Sequence, residues 1–173
     1  SDAPLQVDTA RIENPNTLIG FAGQITPWTS IDGEYTLRAQ DLAAFAGLAG
    51  RELDGRVDLK AEGKIGFSGQ ELGLTLDGSA TDLALGVAQV DGLLAGQTQL
   101  SGGVARDEGG FSFDNFKIQN PQIDANLNGA YATSGQQLVA SVALADVAVV
   151  TDRLAGPVRL DATVTGTDGD PQV

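Results

Sequence analysis

In the stretch LDGRVDLKAEGKIGF, residues 53–67, every odd position lacks a polar side chain, and every even position up to 64 carries a charged one. Successive side chains of a β-strand point to opposite faces, so this alternation predicts one long strand with an apolar face and a charged face. At ~3.3 Å per residue the strand would span roughly 50 Å, two to three times the common length. The stretch therefore predicts an elongated sheet, and the mixed charges on its polar face are typical of a solvated surface.

The composition of the whole chain fits a folded segment with an unusual set of apolar residues. Its 173 residues are 42% hydrophobic, which is enough for one domain with a sizeable core. Only 5% of the residues are aromatic, none is Met, and 23 are Gly. The apolar face must therefore be built from Leu, Val, Ile, Ala and Gly, which make a smooth and shallow surface.

Charge and missing residue types exclude several classes of function. Ten Lys and Arg stand against 23 Asp and Glu, a net charge of −13, which would repel nucleic acid and disfavour electrostatic docking on anionic lipid headgroups. The chain has no Cys and no His, so a disulfide framework, the commonest general base and the commonest metal ligands are all missing. We expect no enzyme, no catalytic residues, no metal site and no cofactor.

The chain carries neither a secretory signal nor a candidate transmembrane span. Its longest apolar run, residues 42–50, is far shorter than the ~20 residues that a spanning helix needs. The first and last residues fall within the alternating pattern instead of closing it. We expect a segment of a longer protein, with any membrane anchor outside this piece.

Three kinds of internal repeat organise the chain. The first is Asp-Leu-Ala at 41–43 and 82–84, with Asp-Val-Ala at 146–148. The second is Ile-x-Asn-Pro, at 12–15 and 118–121. The third is a strand start, LDGRVDL at 53–59, LAGQTQL at 94–100 and LAGPVRL at 154–160. These repeats predict one domain of three tandem β units, approximately 1–73, 74–108 and 109–173, each too thin to bury its own apolar face.

In the first half the pattern predicts strands, turns and one short helix. Turns are expected at Asp32-Gly33, which opens the strand EYTLRAQ, and at Asp77-Gly78, which precedes a strand through residues 82–85. Asp41 is expected to cap a short helix over 41–49 that ends at Gly50.

In the second half the sequence predicts more strands of the same kind, about a dozen in the whole chain. RDEGG at 106–110 is expected to form a charged hairpin turn, and the alternation slips at Asp114-Asn115, as it does at a β-bulge. Pro121 cannot donate a ladder hydrogen bond, so the Asn-Pro sites should mark strand ends. The last strand is expected over 158–164.

At these repeats the chain resembles the TamB family, the AsmA-like periplasmic proteins of Gram-negative bacteria. The resemblance rests on the Asp-Leu-Ala element, the following Leu-x-Gly-x-Val-x-Leu strand start and the sparse Gly, Ala and Leu alternation, over most of residues 33–166. Thr98 departs from the Val of the second motif, and Val147 from the Leu of the first. The resemblance implies an all-β, elongated and curved antiparallel or mixed sheet, half-rolled like a taco, with an apolar concave face.

The resemblance also implies a cellular location and a function. The parent protein would be anchored in the inner membrane by an N-terminal segment, would lie in the periplasm, and would work with TamA, an outer-membrane barrel. Its function would be the assembly or secretion of outer-membrane proteins and autotransporters, or phospholipid transport between the two membranes. The implied cargo is thus phospholipid or unfolded outer-membrane protein strands.

Elementary physics is compatible with lipid as the cargo. An acyl chain in water costs ~0.8 kcal/mol per CH₂, so two chains would face roughly 25 kcal/mol without a dry surface. An apolar groove with small, unspecific walls would remove that barrier. The residues expected to line the groove share the apolar phase of the alternation: Leu53, Val57, Leu59, Ile65, Leu72, Leu74, Leu76, Leu100, Val104, Ile123, Leu127, Val142, Leu144 and Leu160.

Other interpretations stay open at this point. The same apolar faces would suit a closed β-sandwich, and a free sheet edge would suit an added outer-membrane strand. A surface adhesin or passenger repeat with a filled core is the main alternative function, although the unequal unit spacing disfavours a strict solenoid. Asp168-Gly169-Asp170 predicts a turn instead of a calcium loop, and Asp41, Asp82 and Asp146 are expected to cap backbone groups.

Overall fold

The computed structural model describes residues 3–132, 135–151 and 153–166, which form one antiparallel sheet. Its ten strands lie side by side in chain order, so each strand pairs only with its neighbours in sequence. The strands are β1 Leu5–Asn14, β2 Thr17–Thr26, β3 Ser30–Ala39, β4 Asp54–Gly66, β5 Leu72–Ala84, β6 Gln97–Asp107, β7 Gly110–Gln119, β8 Ile123–Ala132, β9 Gly135–Leu144 and β10 Val158–Gly166. The predicted all-β class and the long strand after residue 53 are confirmed.

The pairing register sorts the side chains into two faces. Leu59 of β4 lies opposite Leu37 of β3 and Gly78 of β5, whereas Lys60 lies opposite Thr36 and Asp77. Directly opposed residues of an antiparallel pair share a face. The same phase continues through the register of all ten strands, so one face of the sheet is apolar and the other is polar.

The sheet stays open as a single layer. Extensive contacts between strands occur only between neighbours, and among the described residues no large side chain is fully buried. Only Ala39, Leu42, Ala80 and Ala125 form a buried apolar core in this part of the chain. The described residues therefore do not make the two packed layers of a closed sandwich.

The two ends of the sheet differ in their connections. Tight hairpins join β2 to β3, β4 to β5, and β6 to β7 at one end, which we call the hairpin end. The opposite, helical end carries α1 Ala46–Ala49 after a 3₁₀ turn at Leu42–Phe45, then α2 Ala88–Leu93, and a second 3₁₀ turn at Val147–Val149. The predicted short helix over 41–49 is confirmed, with Gly50 in the left-handed conformation after it.

Helix α2 was not expected, because the usual start signal is missing. Its N-cap residue is Val87, which has no side-chain capping bond. Instead, the Asp91 carboxylate in the first turn accepts a hydrogen bond from the backbone N–H of Leu85 at 2.6 Å. The side chain that stabilises the start of α2 is therefore a residue of the helix, Asp91, and not a capping residue that precedes it.

Two predicted turns are wrong. Asp32-Gly33 lies inside β3, and Asp77-Gly78 lies in the middle of β5. In both pairs the Asp lies on the polar face and the Gly on the apolar face, so the pairs continue the alternation instead of breaking it. Gly33 faces Gly23 and Gly63 across the strands, and close backbone approach, not a turn, explains its presence.

The predicted bulge and strand ends agree with the structure. Register shifts occur between Phe113 and Phe116 on one side of β7, and Asn115 has a positive φ of 45°. The two Asn-Pro sites occupy the β1–β2 and β7–β8 turns. The last strand begins at the expected residue and extends to Gly166, while Asp168-Gly169-Asp170 lies outside the described residues. None of the described helices has the length and apolarity that a membrane span requires.

Candidate apolar binding surface

The candidate site is the uncovered apolar face of the sheet, which we call the apolar surface. Thirteen of the fourteen predicted groove residues lie on it by register: Val57, Leu59, Ile65, Leu72, Leu74, Leu76, Leu100, Val104, Ile123, Leu127, Val142, Leu144 and Leu160. Leu53 precedes β4 and lies in the connection at the helical end. Strands β1 to β3 extend the same surface beyond the predicted residues, through Leu5, Val7, Ile12, Ile19, Phe21, Ile25, Ile31, Tyr35 and Leu37.

Exposure of the apolar surface is greatest on its outer strands. Leu5 and Ile12 of β1 are 60% and 69% exposed, and Leu160 of β10 is 57% exposed. Leu59, Leu76 and other side chains of the inner strands are half-buried, because neighbouring side chains on the same face cover them. A continuous apolar face of this extent on one chain is typical of an interaction surface.

Glycine makes room on the apolar surface where strands come close. A Cβ on Gly78 would lie 2.9 Å from Leu59 Cδ1, so Leu59 occupies the space above that glycine. Gly63 has a φ of 135°, and a Cβ there would collide with the carbonyl oxygen of Gly73. The missing side chains therefore permit the positive φ at Gly63 and leave room for the Leu59 side chain above Gly78.

Tyr35 covers part of this glycine-rich region. Its hydroxyl lies 3.2 Å from the carbonyl oxygen of Ile31 and 3.3 Å from that of Gly63, and its ring centroid is 5.3 Å from that of Phe21. Burial raises the pKa of the Tyr35 phenol, and the Asp32 carboxylate raises it further. The hydroxyl is therefore a neutral hydrogen-bonding group that anchors the ring against the sheet.

The connections of the helical end close one end of the apolar surface. Ala39 is fully buried there, and Leu42 of the 3₁₀ turn and Ala80 are also buried. Thr98, the departure from the Val of the repeat, is buried on the same face at 4% exposure. Its hydroxyl accepts a bond from the Asn120 amide at 3.0 Å, which explains how a polar group is tolerated at this position.

The recurring aspartates bind backbone groups, as predicted, but not in one way. Asp41 and Asp146 cap the two 3₁₀ turns by accepting the N–H of Ala43 and Ala148. Hydrogen bonds from two backbone N–H groups lower the pKa of Asp146; the bond from Ala148 has the larger effect and that from Gly156 the smaller. Asp82 lies within β5 at a positive φ of 51° and caps no helix, and its carboxylate accepts the N–H of Gly96 at 2.9 Å.

These bonds explain the glycine of the strand-start repeat. Gly96 and Gly156 are the glycines of the two Leu-Ala-Gly starts, and the carboxylates of Asp82 and Asp146 accept their N–H groups at 2.9 Å and 2.8 Å. The aspartate and the glycine of one unit are thus bonded to each other. Their recurrence therefore has a structural cause.

The polar face carries exposed ion pairs and shallow hollows. Arg38 pairs with Asp58 at 2.8 Å, and Lys64 pairs with Glu71 at 3.0 Å. One hollow of about 370 Å³ is lined by Lys60, Glu62 and residues of the adjoining strands. Among the described residues no three Asp or Glu side chains gather as a metal site would need.

One residue of the apolar surface escaped the sequence analysis. Arg106 was assigned to a hairpin turn, but it lies within β6, where the register places it opposite Leu72 and Phe111 on the apolar surface. The period of two through Thr98, Leu100, Gly102 and Val104 reaches Arg106 directly. Continuing that count by one step would have found it.

Comparison with known proteins adds no relative to this description. A scan against protein-family models, a search of curated proteins and a search of solved structures each found no match.

Proposed function

We propose that this chain is a non-enzymatic segment of a TamB-like periplasmic protein whose apolar surface carries phospholipid acyl chains between the inner and outer membranes. The observation that supports the proposal most strongly is the apolar surface itself. It runs through all ten strands, and no second layer covers it in the described part of the chain.

An apolar surface that is left uncovered in water is energetically unfavourable. Burying apolar area is favourable by ~25 cal/mol per Å², so an uncovered face of this extent gains by taking up hydrocarbon. The same contact removes the cost of ~0.8 kcal/mol for each acyl CH₂ in water. Its side chains are mainly Leu, Val, Ile, Ala and Gly, which fit hydrocarbon without demanding one chain geometry.

Assembly of outer-membrane proteins is the second candidate function, and the edges of the sheet favour it. The outer edges of β1 and β10 have no strand beside them in the described sheet. An unfolded outer-membrane strand could add to such an edge through backbone hydrogen bonds. A TamA-like outer-membrane barrel is the partner proposed for either function, with the parent protein anchored in the inner membrane. The open layer lends no support to an adhesin repeat with a filled core.

The test is to purify the chain under mild conditions and to identify bound lipid by native mass spectrometry and lipid extraction. Wild-type protein should retain phospholipid. Leu59→Asp and Leu160→Asp should lose most of it, because each introduces a charge on the apolar surface. Leu160 is 57% exposed, so its variant should stay folded even if the Leu59 variant does not.

The matched control is Lys60→Asp, which places the same carboxylate one residue away on the polar face. We expect the Lys60→Asp variant to show the same strand content as the wild type by circular dichroism and to bind as much lipid. Folded Leu160→Asp protein with undiminished lipid, or wild-type protein that binds no added phospholipid, would contradict the proposal.

A further inference from the structure

We propose that Arg106, Phe111, Tyr131 and Gln136 form a headgroup site for a glycerophospholipid at the hairpin end of the apolar surface. This inference rests on the proposed function and adds the polar part of the ligand to it. The four residues lie on four successive strands, β6 to β9, and each is directly opposite the next in the register. They form a single row across the sheet.

The row differs in chemistry from the rest of its end of the surface. On β1 to β5 the corresponding positions are Leu5, Ile25, Ile31, Ile65 and Leu72. From β6 onward the row changes to a guanidinium, a phenyl ring, a phenol and an amide. An apolar face that becomes amphipathic at one corner matches a ligand with hydrocarbon chains and a polar end.

Arg106 supplies the positive charge. Of the Lys and Arg side chains in the described strands, it is the one that the register places on the apolar surface. Its guanidinium carbon lies 5.2 Å from the centroid of the Phe111 ring, a cation–π contact that holds the group in place. No ion pair or hydrogen bond within residues 3–132, 135–151 and 153–166 engages this guanidinium.

Two nearby carboxylates, those of Asp107 and Glu71, have other partners. The Asp107 carboxylate accepts the N–H groups of Gly109 and Gly110 at 2.7 Å and 3.0 Å in the hairpin turn. Glu71 pairs with Lys64 on the polar face. The Arg106 donors thus remain available to an anion, and the planar guanidinium suits the two oxygens of a phosphodiester.

Gln136 provides the second, independent observation. Its side-chain Oε1 is buried and has no hydrogen-bond partner among the described residues, a state that normally costs free energy. Because the oxygen is buried, the amide would have to turn toward the apolar surface for a bound polar group to satisfy it. Tyr131 lies between Gln136 and Phe111 in the row and is 50% exposed, so we assign its phenol to the same headgroup site.

The hydrocarbon chains have a path from this row. On β6 the apolar surface continues from Arg106 through Val104 and Gly102 to Leu100, which is roughly 20 Å at ~3.3 Å per residue. Phe113 and Phe116 of β7 flank this path, with their ring centroids 5.9 Å apart. A phosphate at Arg106 therefore lies at the end of a dry strip about as long as an extended acyl chain.

The test compares two ligands that differ only in the phosphate-bearing headgroup. Binding of phosphatidylethanolamine and of diacylglycerol with identical acyl chains is measured for wild-type protein, R106Q, R106K and the control R56Q. Arg56 is a cation of the polar face opposite Thr81, so R56Q makes the same change of charge away from the site.

We expect wild-type protein and R56Q to bind phosphatidylethanolamine about tenfold more tightly than diacylglycerol, as expected for one or two charge-assisted hydrogen bonds. R106Q should lose that preference and keep its affinity for diacylglycerol, and R106K should fall between the two. Arg106 is exposed, so these variants should fold as the wild type does.

Three results would overturn the inference, and they are distinguishable. Equal binding of phosphatidylethanolamine by R106Q and wild type would refute the headgroup site and leave the proposed function standing. Binding of inorganic phosphate alone, lost in R106Q, would show a free-anion site instead of a lipid site. Failure of wild-type protein to bind either amphiphile would refute the proposed function, and the headgroup site with it.

Discussion

The side-chain amide of Asn120 donates a hydrogen bond to the buried hydroxyl of Thr98, with 3.0 Å between Nδ2 and Oγ1. The same nitrogen lies 2.7 Å from the carbonyl oxygen of Leu93 at the end of α2. Asn120 Oδ1 accepts the N–H groups of Gln122 and Ile123 within its own turn. One side chain thus joins the β7–β8 turn, α2 and β6, and it holds the helical end over the apolar surface.

Replacing Asn120 should therefore be costly. Asn120→Ala leaves the Thr98 hydroxyl and the Leu93 carbonyl without their partner, and we expect a loss of about 2–3 kcal/mol in the free energy of unfolding. Urea denaturation followed by circular dichroism measures it. The control is Asn14→Ala at the equivalent Asn-Pro turn, where the exposed side chain accepts the N–H of Asn16 and has no other partner in the described part of the chain. Equal losses in the two variants would contradict the bridging role of Asn120.

Gly63 should tolerate no side chain. Its φ of 135° is unfavourable for other residues, and an added Cβ would meet the carbonyl oxygen of Gly73. We expect Gly63→Ala to lower the free energy of unfolding by about 1–3 kcal/mol. Gly73→Ala is the matched control from the adjoining strand, because nothing lies within 4 Å of a Cβ there. A Gly63 variant as stable as the Gly73 variant would refute this explanation of the glycine.

Much of the fold follows from one pattern. A period of two predicted the apolar and polar faces, and those faces continue across all ten strands because opposed residues of antiparallel neighbours share a face. The turns predicted at Asp-Gly pairs were wrong because the prediction relied on residue type and ignored the alternation of apolar and polar positions. Asp77-Gly78, for example, lies in the middle of β5. Helix α2 was not predicted because its stabilising carboxylate, that of Asp91, follows the helix start instead of preceding it.

The candidate site could be predicted only in part. Its apolar residues follow from alternation, but alternation cannot tell an open layer from two packed layers, since both bury one face of each strand. Arg106 was missed because a charged residue beside Asp107 and Glu108 resembles a turn, whereas its phase places it on β6. That the Gln136 oxygen has no partner among the described residues depends on three-dimensional packing, which no local pattern reveals.

Asp146 should make stability depend on pH. Backbone N–H groups of Ala148 and Gly156 lower its pKa below the ordinary 3.8 in the folded chain. The ionised carboxylate therefore stabilises the fold fully above the unfolded value, and that stabilisation is lost as pH falls through the folded value. Asp146→Asn keeps an acceptor at the cap but cannot ionise. Denaturation in urea from pH 7 to 3 should show a difference between wild type and variant that shrinks toward the acid end. A constant difference would contradict the assignment.

Trp28 should be strained. It has a φ of 61° in the β2–β3 turn, and its side chain is 95% exposed. Left-handed backbone costs most residues about 1–2 kcal/mol, whereas Asn tolerates it. We expect Trp28→Asn to raise the free energy of unfolding by about 1 kcal/mol, while Trp28→Phe keeps the strain and gains nothing. Equal stability of the two variants would show that the turn is not strained at this residue.

The central claim is that hydrocarbon binds to the apolar face of an open sheet, and fluorescence quenching tests it most directly. Trp28 is the single tryptophan of the chain, so Trp28→Phe gives a background without one. Adding Leu76→Trp places an indole on the apolar surface, and adding Asp77→Trp places one on the polar face of the same strand. Phospholipid with brominated acyl chains should quench the first indole strongly and leave the second unchanged. Equal quenching at both positions, or none at either, would contradict the account.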